Sequence, residues 1–264
     1  MLQPVALAVA AHPDDIEFMM AGTLMLLGEA GYELHYMNIA NGSMGTAVYS
    51  RETIIAMRTE ESRQAARTLG AIFHEPIVDD LDIFYDRTLC RKVCAVVREV
   101  EPTIMLVPSP RDYMEDHMNA ARLAVSAAFY RGMLNYKTDP PIKPVTKEVT
   151  VYHALPWGLR DPLRRLIRAG QYADIGSVMS KKREALACHR SQKEWLDQSQ
   201  GLDSYIHTMD DMMREVGKMS GRFEYAEGWR RRSHLGFCAE SADPLSDALG
   251  DWIAVCSEYE EGLG

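Results

Sequence analysis

Apolar positions along this chain fall into two kinds of run. Short blocks, "PVALAVA" (4–10), "ELHYMNIA" (33–40), "AIFHEPIV" (71–78) and "TIMLVPSP" (103–110), read as strands, the first and last of the fully buried type. Between them, apolar residues recur three and four apart at 17–30, 51–69, 86–100 and 117–131, which predicts helices. Gly31 and Gly70 stop the first two as C′ glycines do, and Pro102 halts the third. Strand and helix alternate four times, so the pattern predicts an α/β fold: a Rossmann-like, doubly wound, mostly parallel sheet flanked by helices. The expected strand order is 3-2-1-4-5, with right-handed crossovers. Beyond about residue 145 the pattern weakens. A strand at 148–156 and helices at 174–197 and 202–220 make the segment 156–264 read as a helical C-terminal part on a core of 1–155. The Pro cluster "TDPPIKPVT" (138–146) is a loop, and no linker divides the middle, so one domain over 1–264 is expected.

Composition narrows the function classes. The 264 residues are 47% hydrophobic and 25% charged, as in an ordinary soluble globular protein. The net charge of −9 outweighs the short basic stretch "WRRRSH" (229–234) and argues against nucleic acid as a partner. No apolar stretch approaches the ~20 residues of a membrane span. The N-terminus lacks a basic n-region, and the five cysteines, an odd number, have no CxxC spacing. A cytoplasmic protein with reduced thiols is expected, with Cys90 and Cys94 as buried helix positions.

One apolar run is interrupted. "AVAAHPDDIEFMMAGTL" (8–24) is apolar to Ala11, breaks at His12, Pro13, Asp14 and Asp15, and turns apolar again at once. In such a sheet the loop leaving the first strand opens on the ligand crevice. A dinucleotide is the first candidate there, but "AAHPDD" has no GxGxxG to let a pyrophosphate approach the backbone. Two aspartates at a helix N-terminus repel phosphate and attract a cation. His12 and Asp15 lie three residues apart, a spacing that suits two ligands of one metal. With strand 4 beside strand 1, its exit loop "SPRDYMEDHMN" (109–119) brings His117 to the same crevice. Two His and one carboxylate with open positions is the layout of a catalytic zinc site; the same set holds non-haem iron(II). An aspartate at 14 or 15 also suits a helix N-cap.

These residues resemble the PIG-L/LmbE-like N-deacetylase family. The resemblance rests on "AHPDDIE", the "MAGTL" spacing after it and the "DH" that follows the fourth strand, and it returns at "KKREALACHRSQ" (181–192). It implies zinc-dependent removal of acetyl groups from N-acetylglucosamine-type substrates. It implies His12, Asp15 and His117 as metal ligands and Asp14 as general base. Arg58 sits where members often have an Arg that helps hold the substrate, a solvated helix-face Arg being the alternative. Glu17 matches a common variant and is expected to serve the first helical turn electrostatically. His189 and Gln192 match a family "H-SQ" stretch. The implied cofactor is Zn2+, other divalent metals remaining open. The implied partner is a small-molecule amino-sugar conjugate, and the implied assembly a homo-oligomer, trimer or hexamer.

One departure stands out. Members read His-Pro-Asp-His where this chain reads Met114-Glu115-Asp116-His117. The missing first His steadies the tetrahedral intermediate in the family, and methionine neither donates a strong hydrogen bond nor carries charge. Asp116, the partner of that His in the family, is then expected to need another, because an unpaired carboxylate beside a partly dry site is costly. His153, His189 and His234 are the candidates, His189 ahead of the others, with Tyr113 as a local donor; zinc alone at the oxyanion is the alternative. Asp80 and Asp82 in "DDLDIFYD" (79–86) read either as contacts for sugar hydroxyls or as a plain turn. Two other functions carry weight: a catalytically impaired zinc-binding homologue acting as a small-molecule binder, which Met114 supports and the retained Asp14 opposes, and an iron(II) oxygenase, which the strand–helix alternation opposes.

Overall fold

The computed structural model describes residues 3–200 and 204–263, the side chains of 196–200 and 204 excepted. The elements run β1 (Val5–Ala10), α1 (Asp15–Met19), α2 (Ala21–Glu29), β2 (Glu33–Asn38), α3 (Arg51–Leu69), β3 (Ile72–His74), α4 (Arg87–Val100), β4 (Ile104–Val107), α5 (Glu115–Tyr130), β5 (Thr150–Ala154), β6 (Gln171–Asp174), α6 (Met179–Leu186), α7 (Arg190–Gln200), α8 (Ser204–Ser220), β7 (Ala226–Arg231) and β8 (Ile253–Val255). All eight strands share one sheet in the order β3-β2-β1-β4-β5-β7-β6-β8. From β3 to β5 every pairing is parallel, as the alternation of strands and helices predicts. All six residues of β1 and all four of β4 are buried, because helices cover both faces of a parallel sheet. One face packs Leu24, Tyr36, Leu106 and Tyr152; the other packs Leu7, Val9, Met105 and Leu123.

The chain leaves β1 toward β2 and β3 on one side, then returns to place β4 and β5 on the other. The carboxyl ends of β1 and β4 therefore flank the point where strand order reverses, the crevice position in such sheets. His12–Asp15 leave β1 there, and Pro108–His117 leave β4.

Three expectations need correction. The helix expected over 17–30 is two helices meeting at Met20, whose φ of −137° is not helical. The segment 156–264 is not only helical: it adds β6, β7 and β8, which pair antiparallel with β5 and one another. These strands escape a pattern search because "QYAD" and "AEGWRR" carry no continuous apolar run and β8 spans three residues. The helix expected over 174–197 starts at the last residue of β6 and is broken into α6 and α7. Of the helix expected over 202–220, residues 202 and 203 lie outside the described residues and the rest is α8. Among the described residues no helix is long and apolar enough to cross a membrane.

Candidate metal centre

His12 and Asp15 come from the turn after β1, and His117 from the first turn of α5. One ligand atom from each lies within 4.8 Å of the others. Asp15 bridges the pair: Oδ2 is 3.5 Å from His12 Nδ1 and Oδ1 is 3.4 Å from His117 Nε2. Asp15 Oδ2 also accepts the backbone N–H of His12 at 2.8 Å, which closes the turn.

The ring nitrogens facing away from this cluster are held by carboxylates. His12 Nε2 donates to Asp116 Oδ2 at 2.9 Å, and His117 Nδ1 donates to Asp112 Oδ1 at 2.9 Å. Asp116 and Asp112 are themselves buried. Asp116 also accepts the N–H of Leu81, and Asp112 accepts those of Met114 and Trp157. A carboxylate behind each imidazole fixes ring and tautomer, the usual support of metal-ligating histidines. Burial disfavours the charged form of His12, but Asp116 and Asp15 outweigh it and hold its pKa up at about 9. The same balance raises His117 well above the usual histidine range, with Asp15 and Asp112 as the opposing carboxylates. Two imidazoles among three carboxylates form a pocket that favours positive charge, and two N donors with one O donor fit a divalent ion such as zinc. The donor set thus fits the cofactor that the motifs imply.

Asp14 stands beside the trio and lines the same crevice. Its backbone is left-handed, with φ at 95°, a conformation worth roughly 1–3 kcal/mol of strain for a non-glycine residue. Its carboxylate is enclosed by Arg58, whose Nη2 lies 3.6 Å from Oδ2 and donates to the Pro13 carbonyl at 2.7 Å, and by Tyr205, whose hydroxyl donates to Oδ2 at 2.6 Å. The adjacent aspartates are driven apart. Burial raises the Asp14 pKa, with Arg58, His189 and Tyr205 acting against it. Burial acts the same way on Asp15, yet the His117 and His12 charges hold it well below the usual carboxylate range. Burial and the Asp14 charge raise the Tyr205 phenol well above its ordinary value, so it keeps its proton.

The crevice is a cavity of about 470 Å³, within the span of small-molecule sites. Asp14, Arg58, Asp80, Tyr113 and Met114 line it beside the trio, and Trp157, Gln192, Trp195, Tyr205 and Thr208 close it from the C-terminal half. Asp80 is committed to structure as well: its carboxylate accepts the N–H groups of Gly42 at 2.7 Å and Met44 at 3.0 Å, folding the 41–45 loop over Arg58. A Cβ at Gly45 would stand 2.2 Å from Arg58 Nη1, so a side chain there would have to displace the guanidinium.

The structure therefore brings His12, Asp14, Asp15, Arg58, Tyr113 and His117 together, and corrects the others. Asp116 lines no part of the cavity and is not unpaired; His12 and Leu81 satisfy it. His189 does not reach the crevice in place of the lost His. It is fully buried, with Nε2 3.3 Å from Glu17 Oε2. Glu17 stands in the first turn of α1, as expected, but it is buried there and takes the Tyr36 hydroxyl at 3.2 Å. His153 binds the Pro108 carbonyl through Nδ1, and neither it nor His234 lines the cavity. Asp112, Trp157 and Tyr205 are the residues that sequence reasoning missed. Only Asp112 carries a local signal, lying five residues before His117.

Comparison with known proteins agrees with this geometry. Residues 7–128 match the model of the PIG-L family, GlcNAc-PI de-N-acetylase. The chain is 28% identical over 234 residues to the diacetylchitobiose deacetylase of Thermococcus kodakarensis, covering 85% of this chain and 81% of that one. It is also 28% identical over 199 residues to the 4-oxalmesaconate hydratase of Pseudomonas putida, covering 72% and 75%. Its fold superposes on the N,N'-diacetylchitobiose deacetylase of Pyrococcus horikoshii with a TM-score of 0.73 at 22% identity, covering 91% and 88% of the two chains. The first motif, the β1–β4 crevice and the His12–Asp15–His117 trio all lie within the 7–128 segment that is similar to the PIG-L family.

Proposed function

We propose that the protein is a metal-dependent N-deacetylase that removes an acetyl, or similar acyl, group from an amino sugar or its conjugate. The observation that carries the reading is the His12–Asp15–His117 trio with Asp14 beside it in one crevice. The family match and the deacetylase relative support the substrate class. In this reading His12, Asp15 and His117 hold the ion, with zinc the choice that the donor set favours. When bound, it supplies Lewis acidity at the acyl carbonyl and the attacking water. Asp14 accepts the proton as the water attacks and returns it to the leaving amine. Arg58 fixes the Asp14 loop through the Pro13 carbonyl, and Trp157 and Trp195 offer flat apolar walls for a sugar ring. Tyr113, next to Met114 in sequence, lines the same cavity with its ring edge-on to His117 at 5.7 Å. One domain over the whole chain, a cytoplasmic location, which five free cysteines suit, and a homo-oligomer belong to the same reading.

A second reading has its own support. Met114 removes a donor that acyl transfer uses, and one relative is a hydratase. The same trio and base then add water to a substrate without releasing an amine. One assay separates the two. Zinc-loaded protein is given N-acetylated amino sugars and their conjugates, and free amine and acetate are quantified. Equal release of both establishes the deacetylase. No release from any member of the panel defeats that reading and leaves the hydratase.

A further inference from the structure

Tyr205 lies on α8, 191 residues from Asp14, and its hydroxyl meets Asp14 Oδ2 at 2.6 Å in a buried contact. Its ring is 3% exposed and stands edge-on to Phe18 at 5.2 Å. Arg58 Nη2 approaches the same oxygen at 3.6 Å. Among the described residues, Asp14 Oδ1 takes no hydrogen bond, although Asp14 lines the cavity. The two oxygens of one carboxylate therefore have different surroundings.

We propose that Tyr205 is a positioning residue that pins Asp14 Oδ2 and so leaves Oδ1 as the atom that takes the proton from the attacking water. The assignment rests on the reading of Asp14 as the base. Its physical cause is the softness of a carboxylate torsion. The terminal χ2 of aspartate is broad and roughly two-fold, so an unpinned carboxylate spreads its oxygens over many directions. A base acts when one oxygen is held within reach of the proton, and small misplacements are costly in rate. The left-handed backbone fixes where the side chain leaves Asp14, and the Tyr205 hydroxyl holds the carboxylate at its far end. Thr208, one turn further along α8, lines the same cavity. The helix that steadies the base thus also forms the wall against which substrate rests.

Tyr205→Phe keeps the ring against Phe18 and removes only the hydroxyl. With the carboxylate no longer held in one orientation, kcat is expected to fall roughly 10- to 100-fold. KM and bound metal are expected to stay at the parent values, a split that a purely structural role for Tyr205 does not produce. In an Asp14→Asn background the same change is expected to cost nothing further in turnover. A second readout needs no substrate. Urea unfolding of the parent, Asp14→Gly, Tyr205→Phe and the double variant forms a cycle, with glycine chosen because it tolerates the positive φ. The two changes are expected to be non-additive by about tenfold in the unfolding constant. Additive unfolding, or a Tyr205→Phe enzyme with the parent kcat, overturns the proposal. A parent protein inactive on every acylated sugar defeats the deacetylase reading instead, and the unfolding cycle still decides whether Tyr205 holds Asp14.

Discussion

Asp14 and Asp15 are neighbours in sequence and differ in everything that matters chemically. Asp15 lies between two imidazoles and is held ionised; Asp14 lies among Arg58, His189 and Tyr205 with its pKa raised by burial. Replacing Asp14 by Asn preserves shape and tolerance of a positive φ but removes the proton acceptor. Turnover is expected to fall by ~10² or more with metal content and melting temperature close to the parent. Steady-state kinetics beside metal analysis checks this, and an Asn variant at the parent rate would falsify the role of Asp14 as the base. Much of this site is legible in the sequence. The break at His12–Asp15 in an apolar run needs a crevice, and strand order 3-2-1-4-5 sends His117 to it. What stays hidden is what touches across long separations. Nothing near Tyr205 in "SYIHTMDDMMREV" marks it as the partner of a residue 191 positions away. Asp116 misled because its partner was sought among free histidines, whereas the ring it supports is His12.

At the scale of elements, the break between α1 and α2 has an identifiable cause. No Gly or Pro stands at 19 or 20, so periodicity alone continues the helix. The structure ends α1 because a buried ion pair satisfies both helix termini. Lys182 on α6 donates to the Phe18 carbonyl at 3.0 Å and to Glu227 Oε1 at 2.6 Å, and both side chains are fully buried. Glu227 on β7 accepts the N–H groups of Gly22 and Thr23 at 2.8 and 2.7 Å, capping the start of α2. Gly22 has no room for a Cβ, which would meet Ile175 at 2.5 Å. The staple ties three distant elements to the helix that follows the metal loop. Lys182→Met leaves the buried Glu227 carboxyl without its cation, which is expected to cost about 3–5 kcal/mol of stability. Replacing both members, Lys182→Met with Glu227→Gln, is expected to cost less than the single change. Urea titration of the three proteins tests the order, and a double variant weaker than Lys182→Met removes the staple as the reason for the break.

The whole molecule joins a parallel half to an antiparallel edge, and the seam between them is the pairing of β5 with β7. The parallel half is readable because β1 and β4 are unbroken apolar blocks and helices alternate with the strands, while β6 and β7 mix charged and apolar residues and β8 spans only three residues. His153 lies on that seam, opposite Arg230 and beside Arg232. It is buried, and its Nδ1 donates to the Pro108 carbonyl at 2.8 Å. Burial lowers its pKa from 6.5 to about 4; Arg232 and Arg230 push the same way, and the Pro108 carbonyl opposes them. The unfolded chain therefore takes up a proton near pH 6.5, and the folded chain only near pH 4. Where the unfolded state binds more protons, stability rises with pH. The His153 contribution is thus complete above about pH 6.5 and is lost as the pH falls toward 4. At roughly 1.4 kcal/mol per pKa unit, the loss approaches about 3 kcal/mol. His153→Gln keeps a donor toward Pro108 without a titrating ring. The stability difference between parent and variant, measured metal-loaded in urea from pH 7 to pH 4, is expected to shift in favour of the variant as the pH drops. A difference that stays flat across that range shows that the seam does not carry the acid sensitivity of the fold.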